Sequence, residues 1–361
     1  MISFNNFKRQ YEIIQADINS AINNVLESGW YILGKELHAF ENEFAKYIGA
    51  NYCVGVASGT DAITLSLMVI GIGNGDEVIT TNMTAFPTII GILQSGAKPV
   101  VVDIDDKTGL IDCNKIEDKI NKKTKAIVPV HLYGQCCNLE KILKIAKKHN
   151  IQVVEDCAQS VGAIYNGKKC GSFGICGAFS FYPTKNLGAY GDAGAIVTND
   201  ENVYKKILSF RNYGQTSRYC HKNKGINSRL DEIQAAILRV RLKYLDDGNS
   251  RRREIAMFYK ENLNNVECLE ENSYGNAVYH LFVIKTLFRD SLIKYLEDRG
   301  IQTLIHYPIP VNKQESFMSQ KDEIFPSTNI FANSILSIPI YPELKTEEIE
   351  IIVRAINEYK L

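Results

Sequence analysis

No apolar run in the chain is long enough to span a bilayer, and the opening residues, MISFNNFKRQYEII, contain no apolar leader core. Internal repeats and low-complexity linkers are missing from the 361 residues. Neither sign of charge is in surplus, since 41 Lys and Arg balance 41 Asp and Glu. That balance removes the electrostatic basis for binding nucleic acid or an anionic membrane, and neither is expected as a partner. The nine cysteines form no CxxC pair and no metal-ligand spacing, so no metal site is expected. Cys53, Cys157, Cys176 and Cys268 sit in or beside apolar runs, where a free thiol behaves as a small hydrophobe. Reduced thiols in a cytoplasmic protein are the expectation.

What is present has the texture of a large α/β protein. The length suggests about two domains, and 45% hydrophobic with 23% charged residues is ordinary for a globular chain. Apolar spacing at Ile14, Ile18, Ile22 and Val25-Leu26 predicts an amphipathic helix over 11–28 that stops at Gly29, with a second over 35–48. Short apolar runs follow at 52–57, 77–80, 99–104, 126–130, 151–155, 178–181 and 195–198. Helical patterns at 62–70, 88–94 and 139–149 separate several of them. Strands that alternate with helices and are apolar on both faces predict a mostly parallel seven-stranded sheet flanked by helices. The last two strands follow too closely for a helical crossover, so an antiparallel part is expected. From about 200 the pattern reads as helical to Leu245, and a long helix over 251–263 leads into a smaller α+β unit. That unit has strands at 278–285 and 303–306 and helices at 290–298 and 346–359. The expected division is 1–245 and 246–361.

Ligands of open α/β sheets collect at the carboxyl ends of strands, and several such ends here are chemically loaded. Ser58-Gly59-Thr60-Asp61 follows a strand and opens a helix, offering free N–H groups and a dipole end suited to phosphate. Taken alone it is equally an ordinary N-cap. Asp156 closes the strand at 151–155, where a carboxylate needs a partner; alone it reads as a helix cap or a structural ion pair. Lys185 lies five residues beyond Ser180, among glycines, in SFYPTKNLGAYGDAGA. A phosphate cradle, an acid at a strand end and a lysine beyond a serine are together what pyridoxal phosphate requires. The lysine bonds the cofactor, and the carboxylate keeps the pyridine nitrogen protonated. The glycines are expected to let backbone approach the flat ring.

SGTDA, VEDCAQ, SFYPTKNLGAYGDAGA and GINSRLDEIQAAILRVRL resemble, in order, motifs of the sugar-nucleotide aminotransferases, pyridoxal phosphate enzymes of aminotransferase fold type I. The likeness runs from near residue 4 to IHYPIPV at 305–311. It implies Lys185 as Schiff-base lysine and proton shuttle, Asp156 at the pyridine nitrogen and Gln159 at the ring oxygen. Gly59, Thr60 and Ser180 would hold the phosphate, Phe86 would stack on the ring, and Asn227 would reach a neighbouring subunit's cofactor in a homodimer. The weaker alternative for Phe86 is plain core, because an apolar helix follows it.

Resemblance of RNYGQTSRYCHKNKGINSRLDEIQAA to members acting on dTDP-3-keto-6-deoxyhexoses implies amination at C3 with L-glutamate as donor and 2-oxoglutarate as product. Tyr182, Tyr219, His221, His306 and Tyr307 are the implied sugar contacts, with Lys224 in the same polar loop. Two other readings are a C4 aminotransferase and a regulatory relative without turnover; a desulfurase would need Cys220 as nucleophile. His131 ends a strand and can face site or core. Ala193 stands where relatives have glycine, which requires a negative φ there. GIGNG at 71–75 precedes a strand rather than following one, and so reads as a turn.

Overall fold

In a computed structural model, which describes residues 1–317 and 319–360, seven strands form one sheet. They are β1 (Tyr52–Val56), β2 (Glu77–Thr81), β3 (Lys98–Val102), β4 (Thr124–Ile127), β5 (Gln152–Asp156), β6 (Cys176–Ser180) and β7 (Gly194–Thr198). Their order across the sheet is β1-β7-β6-β5-β4-β2-β3. All neighbours run parallel except β7, which is antiparallel to both β1 and β6.

The helices are α1 (Phe7–Ser28), α2 (Lys35–Ile48), α3 (Gly59–Val69), α4 (Pro87–Gln94), α5 (Leu139–His149), α6 (Glu201–Phe210), α7 (Glu232–Leu242), α8 (Leu245–Asn262), α9 (Arg289–Glu297), α10 (Pro326–Ser334) and α11 (Thr346–Glu358). Side chains of a strand point alternately to its two faces, and both faces here are covered. Cys53, Phe179, Ala195 and Val197 pack with Phe40 and Phe44 of α2 and Leu238 of α7. Val54, Val56, Ala178 and Ile196 pack on the other side with Leu65 of α3 and Ile207 of α6. A second, three-stranded antiparallel sheet joins β8 (Glu267–Cys268), β9 (Phe282–Lys285) and β10 (Ile335–Ile338). Its core draws on α8, α9 and α11, and takes Ile2 from the start of the chain.

Several boundaries differ from the sequence expectation. α1 begins at Phe7 because the Asn6 side chain caps it, accepting the Arg9 N–H at 3.1 Å. The expected continuous helicity from 200 to 245 breaks over 211–231, where Tyr213, Gly214 and Tyr219 take left-handed backbone and Gln215–Ser217 pairs with Cys220–His221. The strand expected at 303–306 reduces to one bridge, Leu304 to Ser337. The ladder partner of β9 is instead β10, at a position where the sequence reading assigns no strand.

The thiols also depart from expectation. Cys136 and Cys170, 34 residues apart, are joined as a disulfide, while Cys53, Cys113, Cys137, Cys157 and Cys176 are free and buried. No local spacing announces the pair, because the hairpin of Ile164–Tyr165 and Lys168–Lys169 carries Cys170 back to the turn holding Cys136. Among the described residues no helix is long and apolar enough to cross a membrane.

Candidate active site

The carboxyl ends of β1, β5 and β6 open on the same side of the sheet, and the sequence-selected residues gather there. Asp156 is the last residue of β5 and is buried. Its Oδ2 accepts the Thr88 hydroxyl at 2.8 Å and its Oδ1 accepts the Ala158 N–H at 3.1 Å. Burial raises its pKa; the two hydrogen bonds and the nearby Lys185 charge oppose that rise. Neither a helix cap nor a structural ion pair accounts for it, because among the described residues no helix starts after it and no cation salt-bridges it. His131, which the sequence left between site and core, belongs to the core. It is fully buried, with Nε2 3.1 Å from Glu155 and Nδ1 accepting the Cys137 N–H at 3.1 Å.

Lys185 sits in the loop between β6 and β7, partly accessible, with its N–H on the Tyr182 carbonyl. Packing around the ammonium lowers its pKa to about 8, and Asp156 pulls it back upward. The lysine therefore gives up its proton far more readily than an exposed one, as a nucleophile and base must. The neighbouring glycines, expected to admit the ring, let protein backbone meet protein backbone. A Cβ on Gly194 would lie 2.4 Å from the Ser58 carbonyl, and one on Gly188 would lie 2.5 Å from the Pro183 carbonyl. Ala193 has no left-handed φ, so glycine is dispensable there but not at 194.

Ser58 caps α3 and accepts the Asp61 N–H at 3.1 Å. Among the described residues the Gly59 and Thr60 amides have no partner within the chain, as expected for the first turn of a helix. Gly59 packs directly against Ser180, the last residue of β6. On the opposite wall Gln159 is held at both ends, its Oε1 accepting the Tyr133 N–H at 2.7 Å and its Nε2 donating to the Tyr307 hydroxyl at 3.0 Å. Tyr133 in turn donates its hydroxyl to the His306 carbonyl, and His306 Nδ1 lies 2.9 Å from Ser337 of β10. This chain ties the small sheet to the large one. Burial and the Lys185 charge lower the His306 pKa to about 4, while Tyr307 is pushed up to about 12.

Phe86 is partly buried beside Ile89, Val311 and Phe317. Four other expected contacts lie outward: Tyr182 is 52% and Tyr219 81% exposed, and His221 and Asn227 are exposed as well. Thr88, Asn186 and His280 escaped the sequence reading. Asn186 Oδ1 lies 3.2 Å from His280 Nδ1, and its amide nitrogen donates to Asn249 and Val278. Thr88 lies in the first turn of α4 and Thr84 in the bend before it, so no helical spacing in TAFPTI announces that their hydroxyls meet.

The donor set fits pyridoxal phosphate: a buried carboxylate facing a lysine of lowered pKa, with free amides and a serine hydroxyl at a helix N-terminus. Similarity to known proteins points the same way. A dTDP-3-amino-3,6-dideoxy-alpha-D-galactopyranose transaminase of Aneurinibacillus thermoaerophilus is 49% identical over 361 residues, covering 99% of both chains. A dTDP-3-amino-3,4,6-trideoxy-alpha-D-glucose transaminase of Streptomyces venezuelae is 40% identical, over 99% of this chain and 96% of that one. The crystal structure of S. venezuelae DesV in complex with a ketimine intermediate superposes with a TM-score of 0.97 at 40% identity, covering 99% and 98%. Residues 12–357 match the model of one family, and the chain belongs to it: the DegT/DnrJ/EryC1/StrS aminotransferase family, whose members are pyridoxal phosphate-dependent.

Proposed function

We propose that the enzyme transfers the amino group of L-glutamate to C3 of a dTDP-3-keto-6-deoxyhexose, giving a dTDP-3-amino-3,6-dideoxyhexose and 2-oxoglutarate. The observation that carries this reading is the 49% identity, end to end, with a transaminase of that product class. The pairing of Lys185 with Asp156 at the strand ends supplies the catalytic parts.

Pyridoxal phosphate, when bound, supplies an electron sink for the bond broken at the donor's Cα. Asp156 holds a proton on the ring nitrogen. The Lys185 amine, its hold on the proton loosened by burial, would accept the Cα proton and return it at the cofactor carbon on the other side of the amino nitrogen, so one side chain would serve both half-reactions. Gly59, Thr60 and Ser180 would hold the phosphate, Gln159 would orient the ring through its oxygen, and Phe86 would pack on the ring. Asn227 of a second copy completes the phosphate site in a homodimer. Tyr182, Tyr219, His221, His306 and Tyr307 contact the sugar nucleotide, whose remote groups hold the ketone in place. The division at residue 245 and a cytoplasmic location belong to the same reading.

The test is incubation of the enzyme with pyridoxal phosphate, glutamate and a panel of dTDP- and UDP-keto sugars, with products assigned by NMR. Nitrogen on C3 of a dTDP sugar supports the proposal. Nitrogen on C4 overturns the ring position, and no amination of any nucleotide sugar overturns the whole reading.

A further inference from the structure

Asp156 must stay ionised in a buried place, and its two fixed donors are the Ala158 N–H and the Thr88 hydroxyl. A threonine has one hydroxyl proton, and a carboxylate only accepts, so the proton of Thr88 belongs to Asp156 Oδ2. Thr84 Oγ1 lies 2.8 Å from Thr88 Oγ1. With the Thr88 proton committed, Thr84 is the donor there. The result is one directed chain, Thr84 to Thr88 to Asp156, with all three residues buried. Thr88 is placed by α4, whose first turn starts at Pro87.

We propose that Thr88 is a positioning residue for the transamination, fixing the Asp156 carboxylate ionised and turned toward the cofactor's ring nitrogen, while Thr84 fixes Thr88. The inference rests on the role given to Asp156 above. The other titratable groups around Asp156 do not replace the hydroxyl. His131 is engaged elsewhere, with Nδ1 accepting the Cys137 N–H and Nε2 3.1 Å from Glu155. Cys137 and Cys157 are held protonated by burial, as is Tyr307, which is pushed up to about 12. Lys185 helps only while its amine is charged, and the reaction uses it neutral. What remains is a backbone amide, the same whatever the side chains, and one hydroxyl that the sequence chose.

The experiment titrates apoprotein with pyridoxal phosphate and follows the bound cofactor's absorbance against pH, for Thr88→Val, Thr88→Ser, Thr84→Val and the native chain. Thr88→Val keeps the shape but loses the hydroxyl. It is expected to weaken cofactor binding roughly ten- to hundredfold, the usual loss for a hydrogen bond to a charged group. It should also move the absorbance transition. Thr88→Ser should restore both, and Thr84→Val should fall between. In an Asp156→Asn background Thr88→Val should cost distinctly less, because a neutral amide oxygen gains less from the hydroxyl than a carboxylate does, and this separates positioning from a general loss of packing. Native-like binding by Thr88→Val, failure of Thr88→Ser to restore it, or a penalty undiminished beside Asp156→Asn would each overturn the proposal. Asp156→Asn binding the cofactor as tightly as the native chain would overturn the role of Asp156 and this inference with it.

Discussion

Gly59 and Ser180 touch with no room for a side chain between them: a Cβ on Gly59 would stand 2.6 Å from the Ser180 Cβ. The first turn of α3 and the end of β6 are pressed together at the point where the phosphate is proposed to bind. Gly59→Ala must push one of them aside. It is expected to weaken binding of pyridoxal phosphate to apoprotein at least tenfold while leaving the folded state intact. An absorbance titration alongside a melting curve checks both halves.

Lys185 gives a pH prediction with a definite sign. Its pKa falls from the ordinary 10.5 to about 8 on folding, with burial the leading cause. Between those values the unfolded chain holds the proton and the folded chain does not, so this contribution to stability is present above 10.5 and is lost as pH falls through 8. Apoprotein carrying Lys185→Met should lack that loss. Its stability relative to the native apoprotein should therefore increase as pH drops from 10.5 to 8, as followed by urea unfolding.

Asp156→Asn keeps the shape and the Thr88 contact but removes the charge that balances a protonated ring nitrogen. A preorganised electrostatic contact of this kind is worth roughly a hundredfold or more in rate. Single-turnover proton transfer from glutamate should slow by at least that factor. A loss of less than about tenfold would make the carboxylate only structural.

Asn227 is exposed and bridges to Asn212 at the edge of the irregular 211–231 segment, a position open to a second copy. If it completes the neighbour's site, inactive Asn227→Ala and Lys185→Ala proteins should complement when mixed. Each mixed dimer then holds one intact site, and random pairing restores about a quarter of native activity. No regained activity would remove Asn227 from a shared site.

Much of this arrangement was legible because it follows from local chemistry. All seven strands of the large sheet announced themselves as short apolar runs, and the close spacing of residues 181–193 revealed that β6 and β7 run in opposite directions. Asp156 and Lys185 stood out because polar groups at the ends of buried strands need a reason. What stayed hidden depends on distant partners. β10 is a strand because β9 lies beside it, Cys136 meets Cys170 through a hairpin, and Tyr133 reaches His306 across 173 residues. The glycines around Lys185 also have a use that the sequence did not show, since Gly194 and Gly188 admit the backbone of Ser58 and Pro183.

The reversed strand β7 also sets which parts of the enzyme can be redesigned. It lies between β1 and β6 with every residue buried, so the loop carrying Lys185 is moored at both ends to adjacent rungs of one ladder. Adding or deleting a single residue in 181–193 would slide β7 by one position and exchange its two faces, moving Ile196 into the place of Val197. The length of that loop is a fixed gauge. The hairpin at 215–221 lies outside the large sheet and has no such constraint. Changes in the length of the polar loop should therefore be tolerated while the lysine stays where it is, and engineered breadth in the sugar accepted should be sought there.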